Sequence, residues 1–395
     1  MSVTSTSPAP AASSLKKIPV VFENHCRRGE VAGAVTLVAL DGKIQALDAV
    51  GYADLSEKRP MKTNDVFWVA SMTKPITSAA ILLLADEGML SIEDPVEKHL
   101  PEFKDQWVVK DRSDDRIILG RPARRITVRD LLSHTSGLQE PPQPPAGSPL
   151  AAWVASAALL PLRVEPGSEW KYGSIGFNIL GRIVEVVCGT PFQDFLRERF
   201  FDPLGMTETT FFPNAGQVGR LAKSYLQPSG GGVLTELPIT SLNANPGSPR
   251  VTVHAGGGLF STAGDMFRFY QMLLNSGEFE GRRYLKESTV RAMTRPQTGD
   301  LKAGFSEGMS WGLGVWVVRE PQGVIDTFPT DSFGHDGAHG TSVIAVPSKS
   351  SLLIMMIQRK DRDLQIKPGF MEIRHGFVST ALEAAAEINL ESMKL

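Results

Sequence analysis

Strand-forming segments lie at both ends of this 395-residue chain, with helix-forming segments between them. Residues 34–40 and 43–47 flank Asp41-Gly42, a dipeptide typical of a two-residue hairpin turn. Three more apolar, strand-like segments follow near the C-terminus: 312–318, 341–346 and 351–357. Since the turns within each group are short, we expect a single antiparallel sheet built from both ends of the chain.

The middle of the chain carries helix signals broken by proline and glycine: 127–132, 177–187 and 192–200. Helices are also expected near the two ends: 19–29 and 381–387. The sequence therefore predicts an α+β fold, an antiparallel sheet flanked by helices with an inserted, mainly helical domain. We expect residues 19–85 and 255–395 to form the sheet-containing domain, and residues 86–254 to form the helical one.

Two segments have the composition of chain outside a packed core. Residues 1–18 are rich in Ser, Thr, Pro and Ala and hold no acidic residue, which favours a disordered tail. Pro141–Gly147 contains four prolines, which favours a rigid surface loop; a proline-rich ligand for a partner domain is the alternative.

Composition is ordinary for a globular protein and argues against several classes of function. A net charge of -2 gives no long-range attraction to nucleic acid or anionic lipid. No run approaches the roughly 18 apolar residues of a membrane span. The N-terminus lacks the apolar core of a secretory signal, so we expect a cytoplasmic protein. We expect Cys26 and Cys188 to be free thiols, although a disulfide between them stays open.

Ser71-Met72-Thr73-Lys74 places a hydroxyl and an amine one helical turn apart, ahead of an apolar helix at 75–85. Residues i and i+3 share a helix face, so Lys74 Nζ can reach Ser71 Oγ. A helix N-terminus also offers unpaired N–H groups to a developing alkoxide. The same spacing recurs at Ser13 and Lys16 in the polar tail, so it is the context that singles out Ser71. The alternative is a helix start with a surface lysine.

Two later segments also carry candidate functional side chains. Tyr172-Gly173-Ser174 precedes a glycine-bounded helix start, where a phenol can face a cleft; a half-buried structural tyrosine is the alternative. His335-Asp336-Gly337 lies in a glycine-rich stretch before a strand, where backbone and ligand can approach closely. The alternative there is a hairpin turn with polar tips.

In this order, the three motifs resemble those of the serine β-lactamase-like and penicillin-binding protein superfamily. That family shows Ser-x-x-Lys, then Tyr-x-Asn, then Lys-Thr-Gly or His-x-Gly. The branch most similar contains class C β-lactamases, esterases of the β-lactamase fold and D-amino-acid peptidases. Residues 125–138, which include His134, also resemble a signature of this branch, and the resemblance extends from Val31 to Arg359.

The resemblance implies that Ser71 is the acylated nucleophile and Lys74 its activator. It implies that Tyr172 passes a proton to the leaving group and helps to activate the hydrolytic water. A lysine with the ordinary pKa of about 10.4 must be shifted strongly downward to act as a base near neutrality. We expect burial and nearby positive charge to lower the pKa of Lys74.

The resemblance also assigns substrate-binding groups. The oxyanion hole would be the backbone N–H of Ser71 and that of Ala338, which follows Gly337. His335 stands where the family has the cationic lysine, and it is a cation only below about pH 6.5 if unperturbed. Ser174 stands where many members have asparagine, whose amide holds a substrate amide better than a hydroxyl does.

Both departures favour esters over β-lactams, so a carboxylesterase acting on small esters through a Ser71 acyl-enzyme is the function expected. The alternatives are a β-lactamase, a D-amino-acid peptidase or carboxypeptidase, an acyltransferase, and a non-catalytic penicillin-binding-type sensor. We expect a small-molecule ester or amide as substrate and neither a cofactor nor a metal; the oligomeric state is open.

Several other residues invite competing interpretations. Gly304–Gly308 matches a Gly-x-Ser-x-Gly nucleophile elbow around Ser306, but the strand and helix that an elbow needs are not predicted there. His335 and His339 are spaced like metal ligands on a helix, but the glycines between and beside them argue against a helix. His134 is expected to make a structural hydrogen bond.

Other side chains are given packing or capping roles. We expect three aromatic residues to line the acyl pocket: Trp153, Trp311 and Phe305. We expect three aspartates near helix starts to be caps: Asp65, Asp94 and Asp130.

Overall fold

The computed structural model describes residues 14–145, 147–228, 232–239, 253–362 and 369–392. Its main sheet has eight antiparallel strands: β1 (Gly33–Leu40), β2 (Lys43–Asp54), β3 (Arg59–Pro60), β12 (Met309–Trp311), β13 (Trp316–Val318), β14 (Phe333–Asp336), β15 (Ser342–Val346) and β16 (Ser351–Met356). Their order across the sheet is β12-β13-β14-β15-β16-β1-β2-β3. Short strands outside it are β4 (Phe67–Trp68), β5 (Val108–Arg112), β6 (Ile117–Gly120), β7 (Tyr225–Gln227), β8 (Thr235–Glu236), β9 (Phe260–Ser261), β10 (Glu278–Phe279), β11 (Arg282–Arg283) and β17 (Arg359–Asp361).

The N-terminal hairpin completes a sheet whose other central strands come from the C-terminal part of the chain. β1 pairs with β16, with Val35 opposite Met356, and with β2 on its other side. Asp41 and Gly42 have φ of 49° and 74°, as a two-residue hairpin turn requires. All eight β1 residues are buried, because both faces of the sheet are covered. The predicted antiparallel sheet from both chain ends and the α+β class are confirmed.

Helices cover both faces of this sheet and fill the segment between its two halves. They are α1 (Lys17–Arg27), α2 (Thr73–Asp86), α3 (Val96–His99), α4 (Val128–Leu132), α5 (Leu150–Ala158), α6 (Ile175–Cys188), α7 (Phe192–Leu196), α8 (Asp202–Leu204), α9 (Ala215–Gly219), α10 (Ala263–Leu274), α11 (Glu287–Met293) and α12 (Phe370–Ser392). α1 and α12 pack on one face, where Phe22 and Phe377 meet edge to face. α10 packs on the other face together with α2, in a second apolar cluster.

Two details differ from the sequence-based expectations. Residues 312–318 do not form one strand, because Gly314 takes a φ of 83° and turns the chain between β12 and β13. Packing also begins before residue 19, since Leu15 and Ile18 are buried and Ser14 Oγ donates to Glu387 at 2.6 Å.

Some of the expected features lie outside the described residues. These are residues 1–13 of the expected tail, residue 146 of the proline-rich loop, residues 229–231 and 240–252 of the expected helical domain, and residues 363–368 and 393–395.

Cys26 and Cys188 are both free thiols, as predicted, and burial raises the pKa of Cys26 to about 11. Within the described ranges, no single helix has the length and apolar composition to cross a membrane. One pair, Ile175–Cys188 and Phe192–Leu204, passes that test together but is bent by 82°.

Candidate active site

Ser71 lies in a 3₁₀ turn, Ala70–Met72, that leads directly into α2. Its side chain is half-buried, whereas the rest of the turn and the start of α2 belong to the core. Ala70 has a φ of 45°, a left-handed conformation that costs a residue with a Cβ atom energy. Thr73 Oγ1 stabilises this conformation by donating to Ala70 O at 2.7 Å. Ser71 is therefore presented from a strained turn at a helix N-terminus.

Lys74 is fully buried, and its amine has three polar neighbours. Nζ lies 3.1 Å from Ser71 Oγ, 3.3 Å from Ser174 Oγ and 2.6 Å from Gly256 O. A neutral amine has two N–H groups and one lone pair. It can therefore donate to Gly256 O and Ser174 Oγ while its lone pair accepts the Ser71 hydroxyl proton.

Burial lowers the pKa of Lys74 to about 7, because a charged amine is poorly solvated among the aromatic rings around it. Nζ lies 4.8 Å from the centre of the Tyr172 ring and 5.6 Å from that of Phe177. The Glu140 carboxylate acts in the opposite direction and raises the pKa of Lys74. The downward shift therefore comes from burial, and the additional positive charge that we expected does not contribute.

Tyr172 lies between Ser71 and a cluster of aromatic rings. Its ring centre is 4.6 Å from that of His134, 4.9 Å from Phe305 and 5.7 Å from Trp311. Burial raises the pKa of Tyr172, and a hydrogen bond with Ser71 opposes that change without cancelling it. The phenol is thus protonated near neutral pH and is a proton donor rather than a base.

His134 supports the backbone next to Tyr172. Its carbonyl oxygen accepts from the Lys171 N–H at 2.9 Å, and its Nδ1 accepts from the Gly173 N–H at 3.4 Å. Burial holds the pKa of His134 well below its usual range, so the ring is neutral and Nε2 carries the proton. The expected structural hydrogen bond is present, and it positions the loop that carries Tyr172.

His335 is buried at the end of β14 and is not a cation. Its Nδ1–H donates to Asp336 O at 2.8 Å, and burial lowers its pKa to about 3. The neighbouring Asp336 carboxylate accepts from Arg374 Nη1 at 2.5 Å and from Ser342 Oγ at 2.6 Å. The cation below about pH 6.5 was expected only for an unperturbed ring; in this buried environment the imidazole is neutral near pH 7.

Gly337 brings this segment close to the turn that holds Ser71. A Cβ atom on Gly337 would lie 2.6 Å from Val69 O and 2.1 Å from Thr341 Oγ1, so only glycine fits. Ala338 follows at an exposed position, and its N–H has no hydrogen-bond acceptor among the described residues. A free N–H on a segment that packs next to the Ser71 turn has the chemistry of an oxyanion-hole donor.

The residues behind the competing interpretations lie elsewhere or have other partners. Ser306 is half-buried in a bend with neither a strand directly before it nor a helix after it. His339 is buried against Trp68 and hydrogen-bonded to Ser224, and the described residues contain no cluster of three or more metal-ligating side chains. Asp130 belongs to the α4 capping box with Thr127, at the third helical position rather than as the cap itself.

Asp65 and Asp94 do not cap helices. Asp65 accepts from the Lys62 N–H and pairs with Arg59, whereas Asp94 accepts from the Ser91 N–H.

The three aromatic residues expected to line an acyl pocket divide into two groups. Trp311 is fully buried behind Tyr172, and Phe305 is 52% exposed beside it. Trp153 packs instead on His254, with ring centres 4.9 Å apart.

Two contributors to the site were not predicted from the sequence. The Gly256 carbonyl is the nearest partner of Lys74, and the Asn178 side chain accepts from the Gly256 N–H at 3.3 Å. The three consecutive glycines at 256–258 were an available signal of close backbone approach. The left-handed conformation of Ala70 had no such signal, since alanine does not favour it.

Comparison with known proteins identifies related chains. Residues 21–372 match the family described as Beta-lactamase. Protein Rv1367c of Mycobacterium tuberculosis is 35% identical over 84% of this chain and 87% of its own length. Lovastatin esterase of Penicillium rubens is 32% identical over 64% of this chain and 67% of its own.

Among solved structures, EstCE1, described as a hydrolase with promiscuous acyltransferase activity, superposes with a TM-score of 0.74. It is 23% identical, and the match covers 94% of this chain and 98% of EstCE1, which supports the fold alone. The family match over most of the chain shows that this protein belongs to the beta-lactamase family. This agrees with the resemblance of its three sequence motifs to that superfamily of serine hydrolases.

Proposed function

We propose that this member of the beta-lactamase family is a carboxylesterase that hydrolyses small esters through an acyl-enzyme on Ser71. The observation that carries the proposal is the buried Lys74 amine, 3.1 Å from Ser71 Oγ, with its pKa lowered to about 7. A base whose pKa lies near the working pH combines a large neutral fraction with a useful driving force for proton transfer.

In the first half-reaction, neutral Lys74 takes the Ser71 proton as Oγ attacks the ester carbonyl carbon. The negative oxygen of the tetrahedral intermediate accepts hydrogen bonds from the N–H groups of Ser71 and Ala338. Collapse breaks the bond to the alcohol oxygen, which takes a proton from the Tyr172 phenol. Protonated Lys74 then returns a proton to Tyr172, so both groups regain their starting states.

In the second half-reaction, water attacks the acyl carbon and loses a proton to the neutral Lys74, with Tyr172 assisting its alignment. Collapse of this intermediate breaks the bond to Ser71 Oγ, which takes a proton from protonated Lys74, so that both groups regain their starting states. The carboxylic acid then leaves. The same two groups thus serve both halves, as expected for acyl transfer by a serine nucleophile.

Preference for esters follows from what the site offers a substrate. His335, in the position of the family's cationic lysine, is neutral, so it gives a substrate carboxylate no ion pair. Ser174 offers a hydroxyl that is already engaged with Lys74, rather than a free amide. The half-exposed Phe305 beside Tyr172 adds apolar surface suited to an acyl or alkyl group. The name of lovastatin esterase, a relative, supports the same class of substrate.

The test is p-nitrophenyl butyrate hydrolysis by the wild type, Ser71→Ala and the matched control Ser306→Ala, with nitrocefin as the β-lactam. Ester turnover that is lost only in Ser71→Ala, with slow nitrocefin cleavage, is the expected result. Nitrocefin cleavage that is faster than ester hydrolysis would indicate a β-lactamase instead. Adding an alcohol acceptor and measuring the ester formed separates acyl transfer from hydrolysis. No Ser71-dependent turnover of either substrate would overturn the proposal in favour of a non-catalytic binder.

A further inference from the structure

Glu140 is a carboxylate next to the active site for which the mechanism above has no role. Its Oε1 accepts hydrogen bonds from the backbone N–H groups of Ser174 and Ile175, the latter at 2.9 Å. These N–H groups lie at the start of α6, where a negative charge is favourable. Glu140 comes from a separate loop, so it ties that loop to the segment that carries Tyr172 and Ser174.

The Glu140 carboxylate also lies against the backbone of Gly173, next to the two N–H groups. A Cβ atom on Gly173 would lie 2.7 Å from Glu140 Oε1, so glycine lets the carboxylate approach the chain between Tyr172 and Ser174. On its other side, Gly173 donates its N–H to His134. The loop is thus held between Glu140 and His134.

Among the described residues, Glu140 is also the carboxylate whose charge affects the pKa of Lys74. It raises the pKa of Lys74 and contributes to the raised pKa of Tyr172. Three imidazoles also interact with Lys74, but burial lowers the pKa of each, so they are neutral near pH 7: His134, His254 and His335. Tyr172 is neutral there too, which leaves Glu140 as the charge that opposes the effect of burial.

We propose that Glu140 is a positioning residue of the active site. It holds the Tyr172–Ser174 loop through two backbone N–H groups. Because Ser174 Oγ lies 3.3 Å from Lys74 Nζ, this contact fixes the Glu140 carboxylate close to the amine, where its charge shifts the pH range in which Lys74 accepts a proton. This inference rests on the proposed function, because its readout is Ser71-dependent turnover.

The experiment compares the pH dependence of kcat/KM for p-nitrophenyl butyrate in the wild type, Glu140→Gln and Glu169→Gln. Glutamine keeps an oxygen that can accept both N–H groups but removes the charge. In Glu140→Gln, we expect the acid limb of the pH profile of kcat/KM to move to lower pH by roughly half a pH unit, the size expected for one screened charge. Glu169, an exposed glutamate three residues before Tyr172, pairs with Arg163, and its substitution should leave the limb in place.

A second variant separates charge from position. Glu140→Ala removes the hydrogen bonds too, and we expect kcat to fall roughly tenfold with KM little changed, because the loss is in alignment of the reacting groups. An acid limb that does not move in Glu140→Gln, while the wild type shows Ser71-dependent turnover, overturns the inference. Absence of such turnover in the wild type overturns the proposed function instead, so the two failures are distinguishable.

Discussion

Residues 70–74 and residues 304–308 both carry a serine and both reach Tyr172, the first through Ser71 and the second through Phe305. The first segment is held by the core: Thr73 and Lys74 are fully buried and bond to distant backbone. The second is a turn between Gly304 and Gly308, both at positive φ, with Phe305 about half exposed. A serine becomes a nucleophile where a neighbouring base can take its proton, and the glycines around Ser306 supply no such base.

The largest expected effect tests the two serines directly. Ser71→Ala should lower kcat/KM by about 10³-fold or more, since Ser71 Oγ lies 3.1 Å from Lys74 Nζ, closer than Ser174 Oγ at 3.3 Å. Ser306→Ala should stay within about twofold of the wild type, because a surface turn tolerates the change. Initial rates with p-nitrophenyl butyrate measure both. Equal losses of kcat/KM in the two variants would contradict the assignment of Ser71, rather than Ser306, as the nucleophile.

Lys74→Met should lower kcat by roughly 10²- to 10³-fold, since Ser71 then has no base. Methionine is similar in length and apolar, so the helix should remain folded, which circular dichroism will check. A matched change at Lys302, an exposed lysine close to the other serine, should leave kcat unchanged. Activity retained in Lys74→Met would place the base elsewhere.

Tyr172 contacts both segments, and Tyr172→Phe should lower kcat by about 10²-fold because the leaving alcohol loses its proton donor. The ring remains, so its packing against Phe305 is kept and KM should change little. Steady-state kinetics with esters of increasingly acidic alcohols provides the check. The defect should shrink as the leaving group needs less protonation, and an equal defect for every ester would assign Tyr172 a purely structural role.

The pH dependence of the rate tests whether the buried Lys74 amine of the first segment must be neutral for activity. Because neutral Lys74 is the active form and its pKa is about 7, activity is lost as pH falls through 7 and is full above about 8. The rate at pH 6 should be about one tenth of that at pH 8. Tyr172 adds no loss in this range, since its pKa is raised. A profile that is flat between pH 6 and 8 would contradict the assignment of Lys74 as the base.

The smallest effect is expected from the second segment. Phe305→Ala should raise KM by roughly two- to fivefold for butyrate esters and less for acetate esters, since it removes half-exposed apolar surface beside Tyr172. A loss in kcat as large as that of Tyr172→Phe would show that the turn contributes more than contact area.

The parts of the site that depend on local spacing could be predicted from the sequence. The i, i+3 pair of Ser71 and Lys74 and the hairpin at Asp41-Gly42 follow from short-range geometry, and the family match agrees with the three motifs. The extended strand expected at 312–318 is wrong, because the φ of Gly314 outweighs the apolar pattern around it.

Contributions that depend on distant contacts could not be predicted from the sequence. Gly256, which bonds Lys74 Nζ, and Glu140, which bonds the Ser174 N–H, are each far away along the chain. The neutral state of His335 depends on complete burial, which the residue type does not reveal. Three-dimensional context also decides that Ala70 adopts a left-handed conformation, for which its own sequence gives no indication.

The pairing of β1 with β16 has a consequence for how the protein is made on the ribosome. Val35 emerges from the ribosome long before its partner Met356, because all the residues between them must be synthesised first. Until then β1 has an unpaired, apolar edge, and the turn that holds Ser71 faces a half-built sheet. Such long-range pairing is slow and leaves intermediates prone to aggregation. We therefore expect the geometry around Ser71 to form only after residue 356 has emerged, and the nascent chain to depend on chaperones until then.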